Sequence, residues 1–304
     1  MRNKVRKFRS DGSWPRCSLL NIEFLTNNEL KEALKGGADP NQKVRKVTNI
    51  PDHKLLNKAN TARKTQLLIQ FGVDPNIKDF FGHTPIYFSK PDQTKILLKA
   101  GADPNIQDID YTTPLHYAKT AEQTRLLIEA GAKLNVKNSN GDTPLILART
   151  AEQTRLLIEA GADPNIKNIN GYTALHYIHS FEQAKLLLEA GAEVNIKNSF
   201  GITPLSNMIF NIGNIGNENF IKTIEIFIQE GAKVTQDVIN YYLEYGDKKK
   251  TENLLRCMLM KKINWTNAIC SFQNLYRNRL MNPNHPFCKR KLEEDFANFE
   301  NHCL

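Results

Sequence analysis

Apolar residues return in short clusters at a fixed interval. Leu126-Leu127-Ile128, Leu156-Leu157-Ile158 and Leu186-Leu187-Leu188 stand 30 residues apart, inside a polar frame that begins Thr120-Ala121-Glu122-Gln123 and recurs from Thr150 and Ser180. Each frame predicts one short helix. Three consecutive apolar residues at about 100° each cover some 200° of its circumference, so it must be covered on several sides. A unit of this length cannot do that alone, and successive units must therefore stack on one another.

The helix signals agree at both ends. Thr120, Thr150 or Ser180 can accept from the third helical N–H, while Gln123, Gln153 or Gln183 reaches back to the cap's own N–H, which makes a capping box. Gly131, Gly161 and Gly191 stand where the last turn needs a left-handed residue. A second phrase keeps the same step: Thr113, Thr143, Thr173 and Thr203 each open a Thr-Pro/Ala-Leu segment, with Thr84-Pro85-Ile86 before them. Proline there suits the first turn of a first helix, where its missing N–H would be unpaired in any case. The polar stretch joining units, such as Asp163 to Gly171, carries turn formers at both ends and predicts a projecting, β-hairpin-like finger.

Thr113-Pro114-Leu115-His116 followed by Leu126-Leu127-Ile128-Glu129-Ala130-Gly131-Ala132 resembles the ankyrin repeat. The resemblance implies an all-α ankyrin-repeat solenoid over residues 14–240, in about seven units near 14–45, 46–80, 81–109, 110–139, 140–169, 170–199 and 200–235. A basic segment, 1–13, precedes them and a degraded repeat or helical cap, 241–304, follows. The units are about three residues shorter than the family's, which predicts a tight turn between the two helices. Tyr87, Ile146 and Ser206 replace the family's histidine, and Ala174 replaces its proline. By the same resemblance His116 and His176 brace turns rather than catalyse.

The resemblance also implies that variable side chains at the finger tips and at the end of the first helix face one concave side and bind a protein partner. The tip positions are Phe80, Phe81 and His83; Ile109, Asp110 and Thr112; Ser139, Asn140 and Asp142; Ile169, Asn170 and Tyr172; Ser199, Phe200 and Ile202. Lys119, Arg149 and His179 form a ladder at intervals of 30 that favours an acidic partner.

Composition narrows the classes. The chain has 304 residues, 40% apolar content and net charge +9, which suits a folded array rather than a disordered chain. Residues 1–16 hold six basic against one acidic side chain and residues 246–304 hold eleven against six, so the middle is near neutral and the ends are basic. Such ends support a rival reading, a targeting or regulatory protein whose basic C-terminal region, positioned by the repeats, contacts nucleic acid or carries a separate activity. No window reaches the roughly 18 apolar residues of a membrane helix, and no apolar stretch follows the basic start. Cys17, Cys257, Cys270, Cys288 and Cys303 form no C-x-x-C pair and suit a reducing compartment.

Chemistry-bearing motifs are missing throughout the sequence: no G-K-[ST] loop, no H-E-x-x-H and no G-x-S-x-G. Cys270, His285, Cys288, His302 and Cys303 have the atoms for zinc but no standard spacing. The expectation is a non-enzymatic, monomeric interaction module without cofactor, metal or small-molecule substrate. It is expected in the cytoplasm. The short Glu-Gln-Thr-Arg-Leu-Leu phrases are similar to ankyrin proteins of intracellular bacteria, some of which act inside a host cell.

Overall fold

The computed structural model describes residues 25–38, 43–44, 53–54, 56, 59–210 and 217–233. These fall into two compact units that divide between Pro204 and Leu205. Residues 1–13, the degraded repeat or helical cap expected at 241–304 and all five cysteines lie outside the described residues.

Among the described residues the first unit contains six α-helices of nine residues: α1 (Asn27–Lys35), α2 (Ala62–Gln70), α3 (Pro91–Lys99), α4 (Ala121–Glu129), α5 (Ala151–Glu159) and α6 (Phe181–Glu189). Each packs on the next in chain order. Leu97, Leu127, Leu157 and Leu187 point into these contacts and are 2% exposed or less, while their neighbours Leu126 and Ile128 are half-buried. The apolar triplet is thus covered on several sides by adjoining repeats. Truncating one such leucine to alanine would cost about 2–5 kcal/mol.

The recurrent Gly-Ala closes each helix. At α4, Gly131 has φ 83°, and its N–H donates to Ile128 O while Ala132 N–H donates to Leu127 O. This is a Schellman ending, with buried Ala132 as its apolar partner to Leu127. The N-termini differ from expectation. Thr120, Thr150 and Ser180 do accept from the N–H of Gln123, Gln153 and Gln183. The glutamine oxygens, however, accept from Lys119, Arg149 and His179, one residue before the cap. Their amide nitrogens cross to the preceding repeat instead, at Ser89 O, Ala118 O and Ala148 O, 2.8–3.2 Å away. A full capping box forms at Thr26 and Glu29, where the carboxylate accepts from the cap's own N–H.

The shortening of the repeat comes out of the first helix. Where an α-helix was expected, Pro85–Phe88, Pro114–Tyr117 and Ala174–Tyr177 each make a single 3-10 turn of four residues. Residues 144–147 make a plain turn. Chain then runs extended, as at Ser89 (ψ 145°) and Ile178 (ψ 143°), straight to the next N-cap. Four residues close one i→i+3 bond, Tyr87 N to Thr84 O or His116 N to Thr113 O, and leave no room for an α-helical ladder.

The fingers also depart from hairpins. Among the described residues one two-residue antiparallel pair is present, β1 (Lys43–Val44) with β2 (His53–Lys54). The described fingers from residue 79 onward are tight loops instead. The architecture is all-α and repetitive. In the second unit, α7 (Pro204–Phe210) and α8 (Asn217–Gln229) bring Leu205, Met208, Ile224 and Phe227 into burial, and Gly231-Ala232 closes α8 in the same way as the earlier helices.

Candidate functional site

Each finger is built around one side chain. Asp108 Oδ1 accepts from the N–H of Asp110 and of Thr112, while Asp108 N–H donates to Thr112 O. Asn138, Asn168 and Asn198 repeat the pattern, and Asp79 begins it. An Asp or Asn reaching its own backbone two and four residues on imposes the loop without any β-ladder. The tips then link to one another: Ile109 N–H to Phe81 O, Ser139 to Asp110 O, Ile169 to Asn140 O and Ser199 to Asn170 O, all within 2.8–3.1 Å.

The fourth tip residue is glycine at 141 and 171, with positive φ and no room for a side chain. A Cβ would stand 2.8 Å from Ile169 N at Gly141 and 2.9 Å from Ser199 N at Gly171. Tyr111 occupies this slot in its own finger with φ 57°, the single non-glycine at positive φ among the described residues, and its ring is 62% exposed.

A second set of amide bonds ties the bases of the fingers. Asn105 Nδ2 donates to Gly131 O and its Oδ1 accepts from Lys133 N; Asn76 and Asn165 do the same with the units that follow them. The histidines brace the tips, as the resemblance implied. His116 accepts at Nδ1 from Thr113 N and lies 2.8 Å from Thr113 Oγ1, while its Nε2–H points to Val136 O and Asp142 O at 3.1 Å. His176 repeats this toward Ile202 O. Burial holds both rings neutral, lowering His116 from its ordinary value and His176 to about 4. Tyr87 stands in for a histidine: its hydroxyl donates to Ile106 O and Thr112 O, and burial, with Asp108 nearby, pushes its proton loss well above the usual phenol range. It offers no ring nitrogen to Thr84, whose Oγ1 is buried without a partner.

Residues 86–168 and 121–198 match the model of the ankyrin repeats family, in three copies. Residues 86–198 are ankyrin repeats. Ankyrin repeats generally mediate protein–protein interaction and are typically non-enzymatic. No curated protein matches the chain. Among the described residues no helix is long and apolar enough to cross a membrane, and no group of three or more His, Cys, Asp or Glu is arranged to hold a metal.

Within the ankyrin array, the tip positions expected to bind fall into three kinds. Phe80, Ile109, Asp110, Ser139, Asn140, Ile169, Asn170, Ser199 and Phe200 are exposed. Phe81, His83, Asp142, Tyr172 and Ile202 are half-buried. His83 lies 3.4 Å from both Asp79 and Asp108 carboxylates, Asp142 accepts from Asn168 Nδ2, and Tyr172 stacks near His176 and Tyr177. Thr112 is a correction: it is 7% exposed, its N–H is held by Asp108 and its carbonyl takes the Tyr87 hydroxyl, so it has no surface to offer. Lys119, Arg149 and His179 are exposed, two residues after their turns rather than at a helix end.

Sequence reasoning missed a row. Phe88, Tyr117, Leu147 and Tyr177 occupy one slot in four successive repeats and are 36–51% exposed. Residues 89, 118, 148 and 178 behind them face inward, and Lys90, Lys119, Arg149 and His179 face out again. Extended backbone makes that alternation. The ring centroids place the row on the finger side: Phe88 and Tyr117 stand 4.9 and 6.0 Å from His83, and Tyr177 stands 5.2 Å from Tyr172.

Proposed function

We propose that this protein works by binding a protein partner across the face made by its finger tips and its 3-10 turns, with no chemical step of its own. The observation that supports the reading is a division of labour by position. Glutamine, asparagine, histidine and the finger Asp or Asn are consumed by bonds between or within repeats. The side chains between them change from unit to unit, and they include exposed Phe80, Ile109, Ile169 and Phe200 beside the row of Phe88, Tyr117, Leu147 and Tyr177. Large rings on a rigid frame give contact area at small entropic cost, which is what interface anchors require.

The opposite side of the layer has another character. Exposed Arg125, Arg155 and Lys185 pair with Glu122, Glu152 and Glu189 of their own helices, and exposed Glu129, Glu159 and Glu182 leave each of these helices net acidic. A photo-crosslinking residue placed in turn at Ser139, Tyr177, Arg125 and Arg155 tests the assignment in extract of the cells that make the protein. Discrete adducts should arise from the first two positions and not from the helix positions. Adducts from Arg125 and Arg155 alone would move the interface to the other side.

A further inference from the structure

Exposed large apolar side chains are concentrated in one stretch of the array. Phe80, Phe88, Ile109, Tyr111 and Tyr117 are 36–71% exposed and come from two adjacent fingers and their turns. The floor between them is polar and enclosed: His83 sits 3.4 Å from both the Asp79 and Asp108 carboxylates, whose side chains are 1% exposed, and lies against the rings of Tyr87, Phe88 and Tyr117. Phe88 and Tyr117 meet edge to face at 5.8 Å, so the two turns share one continuous ring surface.

The rim carries charge of one sign along the turn slots. Lys90, Lys119 and Arg149 are exposed and make no ion pair among the described residues, whereas the cations of α4, α5 and α6 are matched by glutamates of their own helices. Exposed Asp110 stands at the tip, on the finger side of the rings, not in the cation row. Tyr111 adds an independent observation. It holds a left-handed backbone that side chains other than glycine rarely adopt, in a slot where three later fingers use glycine, and it is 62% exposed. Backbone strain retained under an exposed aromatic side chain marks a residue whose use is outside its own fold.

We propose that this patch receives an acidic, extended segment of a partner protein. An apolar side chain of that segment lies on Phe88 and Tyr117 under Tyr111, and its carboxylates run along Lys90, Lys119 and Arg149. The proposal rests on the protein-binding reading above and specifies the partner's chemistry.

The test is selection of a random 12-residue peptide library, displayed on phage, against the full chain, followed by titration of the recovered peptides as synthetic, labelled molecules. Recovered sequences should combine Asp or Glu with Phe, Leu or Ile. Their affinity should fall tenfold or more for the exposed double variant Lys90→Glu/Lys119→Glu, and for Tyr111→Gly. Far-UV circular dichroism would verify that both variants remain folded. Peptides that crosslink to the finger side without acidic bias, or that bind the double variant unchanged, would overturn the acidic segment and leave the protein-binding reading standing. If no peptide is recovered and no adduct forms at Ser139 or Tyr177, both fail.

Discussion

The finger and turn from Asp79 to Phe88 and those from Asn168 to Tyr177 are built on one plan with different side chains. Both close through an acceptor that reaches the backbone two and four residues on. Both send a donor from the turn to the next finger, a tyrosine hydroxyl in one and a histidine Nε2–H in the other. They differ in what surrounds the finger acceptor beyond its own backbone. Asp79 pairs with His83 and sits among rings, whereas Asn168 donates to Asp142. The contrast teaches that the repeat is specified by which atoms reach the neighbouring unit, and side chains that reach no neighbour are available for recognition.

Acid should separate the two regions most strongly. His176 has a folded value held down to about 4 by burial, against about 6.5 when unfolded, so the unfolded chain binds the extra proton between those limits. Its contribution is complete above pH 6.5 and is lost as pH falls toward 4, on the order of 3 kcal/mol. His116 is shifted in the same direction. Tyr87 binds no proton in that window, so pH-resolved hydrogen exchange should show protection lost first around residues 116 and 176 and retained around residue 87.

The shared positions should behave alike. Gln93 and Gln153 each bond backward to the previous repeat, to Ala59 O and Ala118 O. Replacing either with leucine strands a buried carbonyl and should cost about 2 kcal/mol, read from urea unfolding. A difference above about 1 kcal/mol between the two variants would break the comparison. Smaller still is the threonine effect. Thr113→Val removes a bonded hydroxyl and should cost about 1 kcal/mol, whereas Thr84→Val removes one without a partner and should cost nothing or stabilise slightly.

Much of this was legible in the sequence, and the misses have physical causes. The period, the Gly-Ala helix ending and the stacking of short helices follow from spacing alone. Gln123 and its equivalents misled because position three of a helix serves a capping box and a rung to the previous repeat equally well; the amide N–H, a donor that glutamate lacks, makes the second. The first helix contracted to one 3-10 turn because only four residues separate Thr113 from the extended stretch after Tyr117. Phe88, Tyr117, Leu147 and Tyr177 escaped notice because apolar residues in a repeat read as core, whereas the extended backbone after the turn leaves that slot facing outward. Thr112 failed in the opposite direction, being polar yet enclosed by Asp108 and Tyr87.

The claim that tip side chains serve recognition while the scaffold is carried by inter-repeat bonds is tested most directly at Tyr111. The measurement is the urea unfolding midpoint of Tyr111→Gly against the parent chain. Relief of its positive φ, 57°, should raise stability by about 1 kcal/mol with an unchanged denaturant slope. A lower midpoint would show that the tyrosine ring supports the fold, and would contradict the account.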